Sequence, residues 1–127
     1  MTLEQRAQQF WSVLVFAARE QTVLSDSMLS QMTGFREDPG MVLYYIYCYC
    51  KHNHLPPLNT IVIDPDTGRP GGRCPCDLRD VSAQQSRVFL YDWLNYPVPS
   101  EDMFRDALAQ EEEELERASA EYVTIPC

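Results

Sequence analysis

Apolar positions recur at helical spacing through most of this chain and alternate like those of strands in two short stretches. Leu3, Ala7, Phe10, Leu14 and Ala17 form one face of a first helix, widened by Trp11, Val13 and Ala18, because residues three and four apart share a helical face. Thr2 with Gln5 three residues on has the form of a capping box, in which each side chain satisfies a backbone N–H that the first turn leaves open. A second, short helix is predicted from Ser25 as its N-cap, with Leu24 placed to staple onto Leu29. Gly34 falls where a left-handed C-cap would end it. Asp38 and Pro39 open a third helix. Residues 41–64, MVLYYIYCYCKHNHLPPLNTIVID, join the most apolar segment to the most strand-like one. Val42, Tyr45, Ile46, Tyr49 and Cys50 stand at i, i+3, i+4, i+7 and i+8, and Pro56 and Pro57 forbid continuation of the helix.

Residues 58–63 are short and β-branched, bounded by the turn formers Asp64, Pro65, Asp66, Thr67 and Gly68, and predict a buried strand. Residues 87–91, in which Val88 and Leu90 alternate with Phe89 and Tyr91, predict a second. Gly68, Pro70, Gly71, Gly72 and Pro75 make the long loop between them. Trp93, Tyr96, Pro97 and Pro99 are expected to cover one end of this sheet. Ser100 caps a last helix, with Glu101 and Asp102 suited to the positive end of its dipole. Its narrow stripe of Phe104, Leu108, Leu115 and Ala118 is interrupted by residues 111–114, which places it on the surface. A longer helix, two short helices and a strand pair give an α+β fold in the order of a winged helix-turn-helix, with the long-looped hairpin as the wing. The expected organisation is a domain over residues 1–99, an acidic helix over 100–121 and a tail over 122–127.

Charge changes this picture. The formal net charge is −9, and residues 101–127 hold nine acids against Arg105 and Arg117, whereas residues 1–100 hold ten acids and eight bases. Lys51 is the only lysine, which argues against binding nucleic acid through its phosphates. At 127 residues, 45% apolar and 11% aromatic, the chain can bury one hydrophobic core. It has neither a membrane-length apolar run nor the layout of a signal peptide, so the cytoplasm is the expected location. Five cysteines would there be mostly free thiols.

Residues 22–34, the apolar third helix, and the runs CKHNHLPPLNTIVIDPDTGRPG and VFLYDW together resemble a group of small bacterial and phage-borne proteins. Their pattern reads YC, then LPPL, TGxPG and DW. The group in turn is similar to the winged helix-turn-helix of alkyltransferase-like DNA-repair proteins. The match spans about residues 20–95 and is most specific at LPPLN and TGRPG. It implies a helix that enters a DNA groove and, in the true alkyltransferases, a Pro-Cys-His-Arg nucleophile. Here the corresponding place reads Leu55-Pro56-Pro57-Leu58-Asn59, so the alkyl-transfer chemistry does not carry over. The third helix offers Tyr44, Tyr47, Cys48 and Lys51 rather than a set of base-reading side chains.

Cys74 and Cys76 with His52 or His54 have the chemistry of zinc ligands, but both cysteine pairs are C-x-C rather than C-x-x-C, and Cys48 and Cys50 point apart on a helix. A Cys–His nucleophile lacks an acid to orient it, and Asx-turn chemistry accounts for Asp64 and Asp66. No phosphate loop or hydrolase motif occurs. The acidic helix is left, with nine acids in about five turns. Either they solubilise the chain, or they mimic DNA phosphates and block a basic groove. The expected function is a non-enzymatic protein-binding module of the anti-CRISPR or anti-restriction type, without a cofactor. Its interface is expected at Asp106, Glu111, Glu112, Glu113, Glu114 and Glu116, with Tyr44 and Tyr47 adding apolar area. The partner is then a protein, a nucleic-acid-binding component of a bacterial defence system, and neither nucleic acid nor a membrane. The alternatives are a winged-helix regulator with Arg36, Arg69, Arg73, Arg79 and Arg87 as its basic patch, and a zinc- or cysteine-dependent enzyme.

Overall fold

Thr2 starts the first helix as its sequence predicts: its hydroxyl accepts from the Gln5 N–H, and the Gln5 side chain accepts from the Thr2 N–H. The structure is a computed structural model that describes residues 1–70 and 80–124, with side chains through Ser119. Among the described residues it is helix-rich, with five α-helices and a two-stranded parallel sheet, an α+β architecture.

Helix α1 (Leu3–Arg19) buries Ala7, Phe10, Trp11, Leu14, Ala17 and Ala18, the predicted face, while Leu3 stays partly exposed. Strand β1 (Leu24–Ser25) leads into α2 (Asp26–Thr33). Ser25 caps α2 by accepting from the Met28 N–H, and Gly34 closes it at φ 72°. Helix α3 (Gly40–His52) begins one residue after Pro39, with the Asp38 carboxylate accepting from the Gly40 N–H.

Two helices end on a left-handed residue that is not glycine. At the end of α1 Gln21 has φ 52°, the Thr22 N–H donates to Ala17 O and the Gln21 N–H to Ala18 O. At the end of α3 His54 has φ 57°, with Leu55 N–H donating to Cys50 O and His54 N–H to Lys51 O. Both are Schellman closures, which satisfy carbonyls that a helix end leaves open. An L side chain raises the cost of that conformation.

The predicted hairpin is not formed. Residues 58–63 divide into a buried 3-10 turn (Leu58–Ile61) and a two-residue strand β2 (Val62–Ile63). Strand β2 pairs in parallel with β1, Leu24 opposite Val62 and Ser25 opposite Ile63. Its partner therefore precedes α2, and α2 and α3 form the crossover that parallel strands need. The expected second strand lies in α4 (Val81–Leu90), which buries Val81, Gln84 and Val88. Over those residues a spacing of three and four outweighs the local alternation of Val88 to Tyr91. The turn at residues 64–69 does form, with Gly68 at φ 70° and the Asp64 carboxylate accepting from the Asp66 N–H.

Trp93 and Tyr96 do not cover a sheet end either; they close an aromatic cluster around Trp11. Trp11 meets Tyr49, Trp93 and Phe104 edge-on at centroid distances of 5.5, 5.6 and 6.1 Å. Trp93 Nε1–H donates to Val88 O at 2.7 Å, and the Tyr49 and Tyr96 hydroxyls share a 2.6 Å hydrogen bond. Edge-on aromatic pairs contribute about 0.5–1.5 kcal/mol each beyond the area they bury. Helix α5 (Glu101–Thr124), capped by the Ser100 hydroxyl accepting from the Met103 N–H, inserts Phe104 into this cluster and lies along α3 and α1. Phe104 and Ala107 are buried, but Leu115 is 54% exposed and Ala118 lies in the exposed stretch, so the predicted stripe ends early.

Enclosure by α1, α5 and the 3-10 turn is what sets α3 apart. Only Met41 and Lys51 of its thirteen residues are exposed. The side of α3 left partly open carries Met41, Tyr44, Tyr47 and Lys51, which are not a set of base-reading side chains.

Candidate functional site

The seam between α3 and α5 gathers Cys48, Lys51, His52, Glu111 and Glu114. Lys51 stands in the last turn of α3, where a cation is favoured by the helix dipole. Its ammonium donates to both Glu111 carboxylate oxygens, at 2.6 and 3.0 Å, and reaches Glu114 at 3.4 Å. Glu111 is only 3% exposed. It continues the α5 stripe, since Phe104, Ala107, Leu108 and Glu111 stand at i, i+3, i+4 and i+7, so it is aimed at α3 as surely as Phe104 is. A carboxylate so placed needs a charged partner, and Lys51 is that partner. The Glu111 hydrogen bond in turn raises the Lys51 pKa above its ordinary value.

His52 completes the group. Its Nε2 is 3.7 Å from Glu111 Oε1 and its Nδ1 3.8 Å from Glu114 Oε1. Nε2 is shielded from solvent and has no hydrogen-bond partner. One turn earlier on the same helix lies Cys48, whose thiol is pushed up to about 12, by burial first and then by the Glu111 carboxylate. Burial does the same to Cys50. Both cysteines are free and buried, so they hold protonated thiols rather than nucleophiles at neutral pH.

The expected interface residues fall into three groups. Glu111 is turned inward, and Glu114 stands half-exposed at the rim of the Lys51 cluster. Asp106, Glu112, Glu113 and Glu116 face solvent. The two arginines of α5 are engaged within their own surroundings. Arg105 contacts Asp102 at 2.7 Å and Glu4 at 3.5 Å, and Arg117 contacts Glu113 at 3.6 Å. Tyr44 and Tyr47 are half-buried and stacked on each other at 5.9 Å. Burial pushes the Tyr44 phenol up to about 12. Tyr44 also lines a shallow cleft of ≈ 340 Å³ with Asp38, Gly40 and Met41.

Of the zinc set expected from the sequence, His52 faces α5 and His54 is exposed on the left-handed turn. Cys74 and Cys76 lie outside the described residues, as do Arg73 and Arg79. Sequence reasoning missed the Lys51–His52–Glu111–Glu114 group because four consecutive glutamates read as one solvated run. The spacing from Phe104 was the signal that separates Glu111 from the others.

No helix of the described residues is long and apolar enough to cross a membrane. The chain matches no protein-family model, no curated protein and no solved structure.

Proposed function

We propose that the protein is a non-enzymatic protein-binding module in which the outer face of α5 covers a basic, nucleic-acid-binding surface on a protein partner. The observation that carries this reading is the division of the α5 acids. Glu111 is neutralised inside the fold by Lys51, while Glu112, Glu113, Glu116 and Asp106 face solvent, and among the described residues only Glu113 of these four has an arginine partner, Arg117. Like charges held on one rigid helix attract a complementary groove and speed encounter with it. The half-buried Tyr44 and Tyr47 add ring surface. The resemblance to phage-borne proteins makes a nucleic-acid-targeting defence component, of the CRISPR or restriction kind, the partner of choice.

A winged-helix DNA regulator is the second reading, supported by the order of α1, α2 and α3. The aromatic character of the partly open side of α3, with Tyr44 and Tyr47, favours the protein-binding one.

Two measurements separate them. Affinity capture from a bacterial lysate, run in parallel with wild type and with a Glu112→Gln, Glu113→Gln, Glu116→Gln variant, should retain nucleic-acid-binding proteins on the wild type and lose them on the variant. A low-salt gel shift with duplex DNA should show no saturable complex. A duplex complex that weakens steeply with salt overturns the proposal.

A further inference from the structure

We propose that His52, Glu111 and Glu114 form a binding site for a divalent transition-metal ion of the zinc or cobalt class, latched in its metal-free state by the Lys51 ammonium. One donor atom from each of the three side chains lies within 4.8 Å of the other two. Imidazole nitrogen with carboxylate oxygen is a donor set such ions take readily. Bonds of about 2.0–2.2 Å hold tetrahedral donors roughly 3.3–3.6 Å apart. His52 meets Glu111 through Nε2 at 3.7 Å and Glu114 through Nδ1 at 3.8 Å; one ion takes one ring nitrogen, so binding at Nε2 brings the half-exposed Glu114 side chain inward from within 4.8 Å.

A second observation points the same way. His52 Nε2 is shielded from water with no hydrogen-bond partner, because Glu111 Oε1 at 3.7 Å stops short of one. A polar atom buried in that state is rare, and a bound cation would satisfy it. The carboxylates come from Glu-x-x-Glu on α5 and the imidazole from the last turn of α3. These two helices are pinned together by Phe104 and Ala107, so the donors sit on rigid elements rather than on loops.

Lys51 shows that the place already holds a cation, since its ammonium bridges Glu111 and Glu114. The Lys51 side chain is 42% exposed, so it can swing into water and leave both carboxylates to an incoming ion. The ion would then carry the charge that keeps Glu111 buried, and lysine and metal exclude each other. This site is separate from the solvent-facing acids Glu112, Glu113 and Glu116, so it stands or falls independently of partner binding.

Co2+ titration of the full reduced chain, followed in the visible and near-ultraviolet, tests it. One equivalent should bind with d–d bands and no thiolate charge-transfer band. Affinity should fall about tenfold or more in Glu114→Gln and in His52→Ala, and rise about tenfold or more in Lys51→Met, which removes the competitor. Glu114 is half-exposed, so its variant keeps the fold even if His52→Ala does not. The proposal is overturned by the absence of saturable binding at millimolar Co2+. It is equally overturned by a thiolate band, which assigns the ion to cysteines, or by affinity unchanged in Glu114→Gln or in Lys51→Met.

Discussion

The two halves of α5 are one continuous helix in two different environments. From Glu101 to Glu111 it buries Phe104, Ala107 and finally Glu111 against its neighbours, whereas residues 112–119 are all exposed. Most helical stability in proteins comes from packing one face, so the inner half is held by tertiary contacts. Apart from the reach of Glu114 to Lys51, the outer half depends on local pairs. Glu113 with Arg117 helps it, and Glu112 with Glu116 at the same spacing repels. The same residue type thus does opposite things one position apart: Glu111 is a structural ion, and Glu112 is a solvated charge.

This contrast is broken most sharply at Phe104. Phe104→Ala should cost about 3–5 kcal/mol in urea unfolding, by emptying the pocket between Trp11 and Tyr49; a loss under about 1 kcal/mol would mean that the inner half is not docked as described. Next is Lys51→Met, which strands the Glu111 carboxylate. Losing one partner of a buried pair costs about 3–5 kcal/mol, and partial exposure of the ammonium reduces this to roughly 1–3. Adding Glu111→Leu to Lys51→Met should restore most of the loss, since the charge is then gone rather than unpaired.

A third test uses pH. The Cys48 and Cys50 thiols are raised from the ordinary 9.0 to about 12 by burial, and Glu111 contributes to the shift at Cys48. Because their folded values exceed their unfolded ones, their contribution to stability is complete below about 9 and is lost as pH rises towards about 12. Urea midpoints should therefore hold steady from neutral pH to about 8.5 and fall above it. A midpoint flat to pH 11 would place the thiols in contact with water. The smallest effect belongs to the outer half. The Glu112→Gln, Glu113→Gln, Glu116→Gln variant should keep its stability within about 0.5 kcal/mol, checked by the same urea titration.

Much of the helical frame was legible in the sequence because its signals are local. The Thr2–Gln5 box, the Ser25 and Ser100 caps, the Gly34 closure and the buried face of α3 depend on residues within one or two turns. The strands were not legible in the same way. A two-residue strand has no period of its own, and β2 is defined by Leu24 and Ser25, far back in the chain. Residues 88–91 alternate convincingly, yet Val81 and Gln84 show that the longer helical period prevails. The candidate site divides similarly. The acidic character of α5 is visible in composition, but that Glu111 faces Lys51 and His52 depends on how α5 lies across α3, a tertiary fact.

The single lysine of the chain sits on that crossing. Amine-selective acylation of this protein therefore has one ε-amino target, besides the chain's α-amine, and that target is a hydrogen-bonded ammonium whenever it rests on Glu111. Its labelling rate becomes a built-in reporter of how often the ammonium leaves Glu111, readable by mass without introducing any probe into the molecule.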